Sequence, residues 1–237
     1  MMAAQTALIE PSARSLDRPI WAALSSHQES LAVRVGRARA FPADMAAFAA
    51  TDPRAPDAES DLVDLVRARR DGVTFMQVDP VFPSSSLQCA RKAMGVQMVL
   101  DGDLAESESA GLERLSAQDV PEMLRLVAAT EPGPFLSRTI QLGAYWGIRH
   151  NGRLIAMAGE RMRLSGYTEI SAVCVDPSHR RAGRARRLVR RVGLDILRRG
   201  EVPFLHTYAD NESAIRLYGD LGFRLRRYVH ITTLVSA

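Results

Sequence analysis

Val173-Cys174-Val175-Asp176-Pro177-Ser178-His179-Arg180-Arg181-Ala182-Gly183-Arg184-Ala185-Arg186 is the stretch that decides both fold and chemistry. An apolar strand runs through a short turn directly into a helix, and such a junction presents backbone N–H groups that have no intrahelical partner. Those donors, with the positive end of the helix dipole, make a site suited to a pyrophosphate. Gly183 and Ala185 are small where a phosphate must approach the backbone closely, and the flanking arginines add charge-assisted contacts. Further along, Ala185, Leu188, Val189, Val192 and Ile196 share one face that must pack on a sheet. Arg187, Arg190, Arg191 and Arg198 lie largely elsewhere and read as a solvated face.

A second block follows, Tyr208-Ala209-Asp210-Asn211-Glu212-Ser213-Ala214-Ile215-Arg216-Leu217-Tyr218-Gly219-Asp220-Leu221-Gly222-Phe223. Asn211 is well suited to cap a helix start, and Gly222 to end one. On residues alone, Tyr218 is a half-buried aromatic beside Ile215 and Leu217.

Together, Arg180-x-x-Gly183-x-Ala185 after Val173-x-Val175-x-Pro177, and Asn211-x-x-Ala214-x-x-Leu217-Tyr218-x-x-x-Gly222-Phe223, resemble the two ordered signatures of the GNAT superfamily of N-acetyltransferases. The resemblance covers roughly Leu112 to Val235. It implies an α/β fold with a mixed, mostly antiparallel sheet flanked by helices, and an acetyl-CoA-dependent enzyme without a metal. The backbone of Val173, Cys174 and Val175 would pair with the pantetheine arm. Arg180, Arg181, Ala182, Gly183, Arg184, Ala185 and Arg186 would hold the pyrophosphate, Asn211 would touch the arm, and Tyr218 would protonate the departing thiolate. The acceptor amine would attack the thioester directly in a ternary complex, with the oxyanion held by a backbone N–H of the Val173 to Val175 strand. Cys174, on that strand, is not expected to be a nucleophile.

A general base near neutral pH, or a water relay, must take the amine's proton. Two residues qualify: Glu169, which opens the cofactor strand, and His206, five residues before Asn211. Each has an ordinary structural alternative. Glu160 on the adjacent strand is a weaker third candidate, whose plain reading is a solvent-facing strand residue.

The chain has 237 residues, 46% of them hydrophobic, enough for one large or two small domains. Asp101 to Gly111, acidic and serine-rich, reads as the boundary. The expected division is a flexible tail over 1–14, an N-terminal α/β half over 15–105 and the acetyltransferase domain over 112–237. A degenerate copy of the same fold is one reading of the N-terminal half, which would help complete the acceptor cleft. Its expected elements are a helix within Ser15 to Val33, a short helix and loop over Phe41 to Pro56, a helix at Asp61 to Arg69, a strand at Val73 to Val78, a helix at Ser84 to Met94 and a strand at Gly95 to Leu100. Downstream come a helix from Ser116 to Val127, strands at Tyr145 to His150 and Arg153 to Met162 turned by Asn151-Gly152, and strands at Glu169 to Val175, Phe204 to Tyr208 and Val229 to Val235. Gly133 to Arg138, with Tyr145 and Trp146, either lines the cleft or forms a packed loop.

Two cysteines, Cys89 and Cys174, show no zinc or disulfide spacing. No apolar run reaches the roughly 18 residues of a spanning helix, and Met1 to Arg14 is unlike a secretory signal, so a cytoplasmic location is expected. The net charge of +4, concentrated in the arginine-rich helix, leaves two alternatives: a non-catalytic acyl-CoA sensor, and a basic-helix nucleic-acid-binding protein, against which the Asn211 to Phe223 block argues. The composition leaves a homo-oligomer open, and the acceptor has no signature beyond its being an amine.

Overall fold

The computed structural model describes residues 13–52, 54–55, 58–106, 110–130 and 132–237. The expected tail over 1–14 falls almost wholly outside them. The helices are α1 (Pro19–Leu24), α2 (Ala58–Arg67), α3 (Val120–Thr130), α4 (Arg184–Arg198) and α5 (Glu212–Gly219). The strands are β1 (Val33–Val35), β2 (Ala38–Ala40), β3 (Ala49–Thr51), β4 (Val73–Gln77), β5 (Leu87–Leu100), β6 (Glu113–Arg114), β7 (Tyr145–His150), β8 (Arg153–Leu164), β9 (Tyr167–Val175), β10 (Val202–Tyr208) and β11 (Phe223–Ser236). One sheet of eight strands runs in the order β4-β11-β5-β10-β9-β8-β7-β6, and β1 to β3 form a small sheet of their own. β9 and β10 are parallel, as the crossover through α4 requires, and every other neighbouring pair is antiparallel. This is the mixed, mostly antiparallel α/β architecture expected. No helix among the described residues is long and apolar enough to cross a membrane.

The local signals downstream of residue 112 produce the elements they predict. Asn151 and Gly152 both take left-handed φ, 50° and 76°, as a two-residue hairpin turn demands. Ser116 and Asp119 form a capping box that starts the turn leading into α3. The apolar face of α4 (Leu188, Val189, Val192 and Ile196) is buried against Val96, Met98, Ile170 and Leu205. The opposite face of the sheet is covered by α1 and by Phe41, Met45 and Phe48, which pack on Met162, Tyr167, Phe204 and Val229. Neighbours on one strand thus point to different cores: Leu205 to α4, Phe204 to α1.

The N-terminal half departs from expectation in three places. Ser84 to Met94 is not helical; Leu87 to Leu100 is one long strand, paired with β11 from Leu87–Ser236 to Leu100–Phe223. Its alanines, arginine, lysine and methionine favour a helix locally, but a helix would strip β11 of its β5 partner from His230 to Ser236, and the long-range ladder prevails. The expected first helix breaks at Ser25-Ser26, where the Ser26 hydroxyl donates to the Ala22 carbonyl at 2.7 Å, leaving α1 flanked by short 3-10 turns. Of Phe41 to Pro56, expected as a short helix and loop, Phe41 to Asp52 forms a turn, with the Met45 and Ala46 N–H groups on the Pro42 carbonyl, and then β3.

The division between 15–105 and 112–237 cuts through one sheet. β5 lies between β10 and β11, antiparallel to both, and β4 closes the edge beyond β11. The segment read as a linker is also tied down: Asp101 N–H bonds the Gly222 carbonyl, and Leu104 is buried so close to Gly193 that a Cβ there would lie 2.3 Å from it. A chain that begins at residue 106 is therefore expected not to fold. Circular dichroism should show no cooperative thermal transition for it, whereas a sharp melt of that fragment would establish the C-terminal half as an independent domain.

Candidate active site

The pairing of β9 with β10 runs only from Tyr167–Val202 to Ile170–Leu205. Beyond that point the strands part. β8 still holds the far edge of β9 as far as Val175, across an irregularity at which Ala172 adopts φ 51°, a bulge that re-aims the strand. The gap opens a cavity of about 590 Å³. Val173, Cys174 and Val175 line it, with the β9 edge turned away from β8 and unpaired by β10.

At one mouth of the cavity the chain makes a 3-10 turn over Pro177–His179, capped by the Asp176 side chain, and then enters α4. Arg181 and Gly183 are left-handed, at φ 64° and 68°, and Gly183 is an N-cap with no side-chain hydrogen bond onto the helix. The first N–H groups of α4 therefore have no side-chain cap. A Cβ on Gly183 would meet nothing; it is the φ value that suits glycine here. Arg184 braces the loop by donating to the His179 carbonyl at 2.7 Å, and Arg186 pairs with Asp220 at 2.8 Å. Arg180 and Arg181 have no carboxylate partner among the described residues. Arg180, Arg181, Gly183, Arg184, Ala185 and Arg186 line the cavity, and Ala182 does not. Further along α4 the arginines serve the fold: Arg191 and Arg198 pair with Asp195, and Arg191 stacks 4.0 Å over Trp146.

Asn211 caps α5 by accepting from the Ala214 N–H at 3.1 Å, and it lines the cavity. So does Tyr218, whose burial pushes its hydroxyl well above the ordinary range for tyrosine. Burial likewise raises the Cys174 thiol to about 11, which leaves it protonated and a poor nucleophile near neutral pH.

Glu169 and His206, named separately as base candidates, come together across the parallel strands. The His206 Nδ1 lies 2.8 Å from Glu169 Oε1. Arg161 grips the same carboxylate twice, Nε to Oε2 at 2.7 Å and Nη2 to Oε1 at 2.6 Å. Burial alone would raise the Glu169 carboxyl, but the charge and hydrogen bonds of Arg161, with His206, more than offset it and hold it at about 2. Glu169 is fully buried and does not reach the cavity, whereas His206 lines it. With Nδ1–H directed at the carboxylate, Nε2 is the acceptor nitrogen, and the Gln97 amide nitrogen lies 3.0 Å from it. Gln97 also donates to the Leu16 carbonyl and accepts from Arg226, which pairs with Asp17. Glu160 is neither solvent-facing nor in the cavity; it is buried against Arg199 at 2.9 Å.

The other wall comes from strands that carry no motif: Phe48, Thr74, Met76, Arg91, Ile231 and Thr233. Of the loop suggested as a lining, Gly133 and Pro134 reach the cavity, while Tyr145 and Trp146 pack elsewhere, Tyr145 edge-on to Phe135 and Trp146 bonded to Asp195. Among the described residues no cluster of histidine, cysteine and carboxylate side chains is placed to hold a metal.

The Arg161–Glu169 pair generates a testable consequence. The folded-state pKa of Glu169 lies below its ordinary value, so the unfolded chain takes up the proton first; the stability this group contributes is complete above about pH 5 and is lost as pH falls from about 4.5 toward 2. Glu169→Gln strands the buried guanidinium and should cost roughly 3 kcal/mol at neutral pH. Urea unfolding should show the gap to wild type narrowing below about pH 4.5; a gap independent of pH would mean the carboxylate is not held ionised by Arg161.

Residues 145–231 match the family model FR47-like protein. The chain is 32% identical over 135 residues to the N-alpha-acetyltransferase RimI of Mycobacterium tuberculosis, an alignment covering 51% of this chain and 83% of that relative. A GNAT-family crystal structure from Novosphingobium aromaticivorans is 42% identical, with a TM-score of 0.87, over 94% of this chain and 98% of its own. A GCN5-related N-acetyltransferase from Kribbella flavida shares the fold at 20% identity and a TM-score of 0.59, over 90% of this chain and 95% of its own. With the strand-to-helix loop, the parted strands and the capped second helix in place, the likenesses to the Mycobacterium tuberculosis and Novosphingobium aromaticivorans proteins fix the assignment: the chain belongs to the GNAT family of N-acetyltransferases.

Proposed function

We propose that the chain moves an acetyl group from acetyl-CoA directly to an amine held in the same cavity. The observation that carries this reading is a single cavity threading the sheet where β9 and β10 part, with an N–H- and arginine-lined loop at one mouth and a second, differently built wall at the other. The loop fits a pyrophosphate. Its helix start has no side-chain cap, two of its residues are left-handed, and Arg180 and Arg181 are without a carboxylate. Arg180 to Arg186, apart from Ala182, would hold the phosphates, and the open edge of Val173 to Val175 would receive the pantetheine amides as an added strand. Acetyl-CoA supplies the activated acyl group.

The remaining steps belong to side chains. A backbone N–H of Val173 to Val175 faces the developing oxyanion. His206 Nε2 takes the amine's proton, exchanging its contact with Gln97, while Glu169 keeps the proton on Nδ1 and balances the charge that forms. Glu169 is thus a positioning residue behind His206 rather than the base itself. Tyr218, kept protonated by burial, returns a proton to the leaving thiolate. Cys174 forms no acyl intermediate.

Titration calorimetry with acetyl-CoA is expected to give micromolar binding that Gly183→Glu abolishes, because a carboxylate there repels the pyrophosphate; no binding to the wild type would refute the reading. Tyr218→Phe should lower kcat about a hundredfold at unchanged acetyl-CoA affinity, whereas Cys174→Ala should keep most activity. Full activity in Tyr218→Phe would remove the tyrosine from the mechanism, and total loss in a folded Cys174→Ala that still binds acetyl-CoA would reinstate a covalent route.

A further inference from the structure

We infer that the acceptor is an amine whose molecule also carries a carboxylate several bonds from the nitrogen, and that Arg91 receives that carboxylate. The inference rests on the transfer reading above and concerns the wall of the cavity that carries no family motif.

Strand register fixes which face Arg91 occupies. Paired residues in neighbouring strands point the same way, and the ladder gives successive rows: Thr74, Thr233 and Arg91; then Met76, Ile231 and Ala93; then Val229, Gly95 and Tyr208; then Gln97 and His206. Met76, Ile231 and Val229 belong to the core on the α1 side, whereas Val96, Met98 and Leu205 belong to the α4 side. Arg91 therefore stands on the face of His206 and Tyr208, across the sheet from α4. Gly95 keeps the floor of this face low, since a Cβ there would crowd Ile231 and Val229 at 3.1 Å.

The charges on this wall are unbalanced. Among the described residues lining the cavity there is no aspartate or glutamate. Arg161 is there, but Glu169 uses its charge. The Arg91 guanidinium has no carboxylate or hydrogen-bond partner among the described residues and lies 5.3 Å over the Tyr208 ring, an arrangement that steers a planar cation while leaving its edge for a bidentate anion. Around it lie Phe48, Met76 and Ile231, and the Thr74 and Thr233 hydroxyls, 2.9 Å apart. A plain ammonium finds no counter-ion here. A molecule with an amine at one end and a carboxylate at the other finds both a charge partner and an apolar bed. The same surplus of positive charge favours the neutral, nucleophilic form of the amine.

Spacing narrows the class. The His206 and Tyr208 rows are two strand residues apart, roughly 7 Å, and Arg91 reaches past the Tyr208 ring. The carboxylate would sit on the order of 10 Å from the transferred proton, farther than the two ends of an α-amino acid. Short peptides with a free C-terminus and the N-termini of longer chains with an early acidic residue share this chemistry.

The test uses the full chain, acetyl-CoA and matched acceptors: trialanine and its C-terminal amide, 6-aminohexanoate and its amide, alanine, and C-amidated hexapeptides Ala-Ala-Glu-Ala-Ala-Ala and Ala-Ala-Gln-Ala-Ala-Ala. Thiol release by the wild type should favour each carboxylate-bearing member over its neutral partner at least tenfold in kcat/KM. Arg91→Gln should abolish that difference and Arg91→Lys restore part of it, both at unchanged acetyl-CoA affinity. Preference confined to trialanine and 6-aminohexanoate identifies small acceptors; preference confined to the glutamate hexapeptide identifies chain N-termini. Equal use of acid and amide, a preference for alanine over trialanine, or a preference that survives Arg91→Gln overturns the inference while leaving the transferase intact. If acetyl-CoA binds but no acceptor turns over, titrating the CoA-bound protein with trialanine and its amide decides: tighter binding of the acid, lost in Arg91→Gln, supports the inference, and equal binding overturns it. Absence of acetyl-CoA binding removes the transfer reading and this inference together.

Discussion

Two parallel strands that separate partway along their length impose a demand on everything around them. Past Ile170 and Leu205, β9 and β10 no longer satisfy each other's backbone groups, and an unpaired buried N–H or C=O is expensive. Each strand must then be held from its other side. β8 does this for β9 as far as Val175, and β5 does it for β10 as far as Tyr208 opposite Gly95. β5 comes from the N-terminal half of the chain, so the half without a phosphate loop supplies the strand that lets the loop-bearing half open its cleft. The same strand separates β10 from β11, which α5 joins closely in sequence.

The buried polar chain beneath the cleft runs against the same economy. Removing the Glu169 and Arg161 charges from water costs several kcal/mol each, which their paired hydrogen bonds only partly return. A hydrophobic pair would serve the fold at least as well. What the ion pair adds is a fixed carboxylate 2.8 Å from His206 Nδ1, which orients the ring. Gln97 extends the chain to the Leu16 carbonyl and, through Arg226, to Asp17. The orientation of His206 is therefore set partly by a segment that lies 190 residues before it.

What could be read from residues alone follows how locally each feature is determined. The strand, turn and helix from Val173 to Arg198 need only neighbours in the chain: apolar periodicity, a left-handed glycine and uncapped donors. Asn211 and the Asn151-Gly152 turn are equally local. The failures are long-range. Leu87 to Met94 has helical composition and becomes a strand because β11, more than a hundred residues away, requires a partner. Glu169 and His206 could each be picked out, but not their contact, which depends on the register of strands separated by α4. Arg91 gave no signal, since an arginine in a stretch of helical composition is ordinary until the strand and the face it occupies are known.

This separation between local and long-range information coincides with a separation of tasks. The residues proposed to hold acetyl-CoA lie in short contiguous segments, Val173 to Arg186 and Asn211 to Tyr218, where backbone geometry and helix starts carry the reading. Phe48, Thr74, Met76 and Arg91 lie before residue 145, outside the family-matched region; the last three stand on strands, and Phe48 bridges to Thr74, so the backbone pairing is satisfied whatever side chain they carry toward the cavity. On the transfer reading proposed above, a substitution there would alter the acceptor side of the cavity while leaving the Arg180 to Arg186 loop and the His206–Glu169 pair in place.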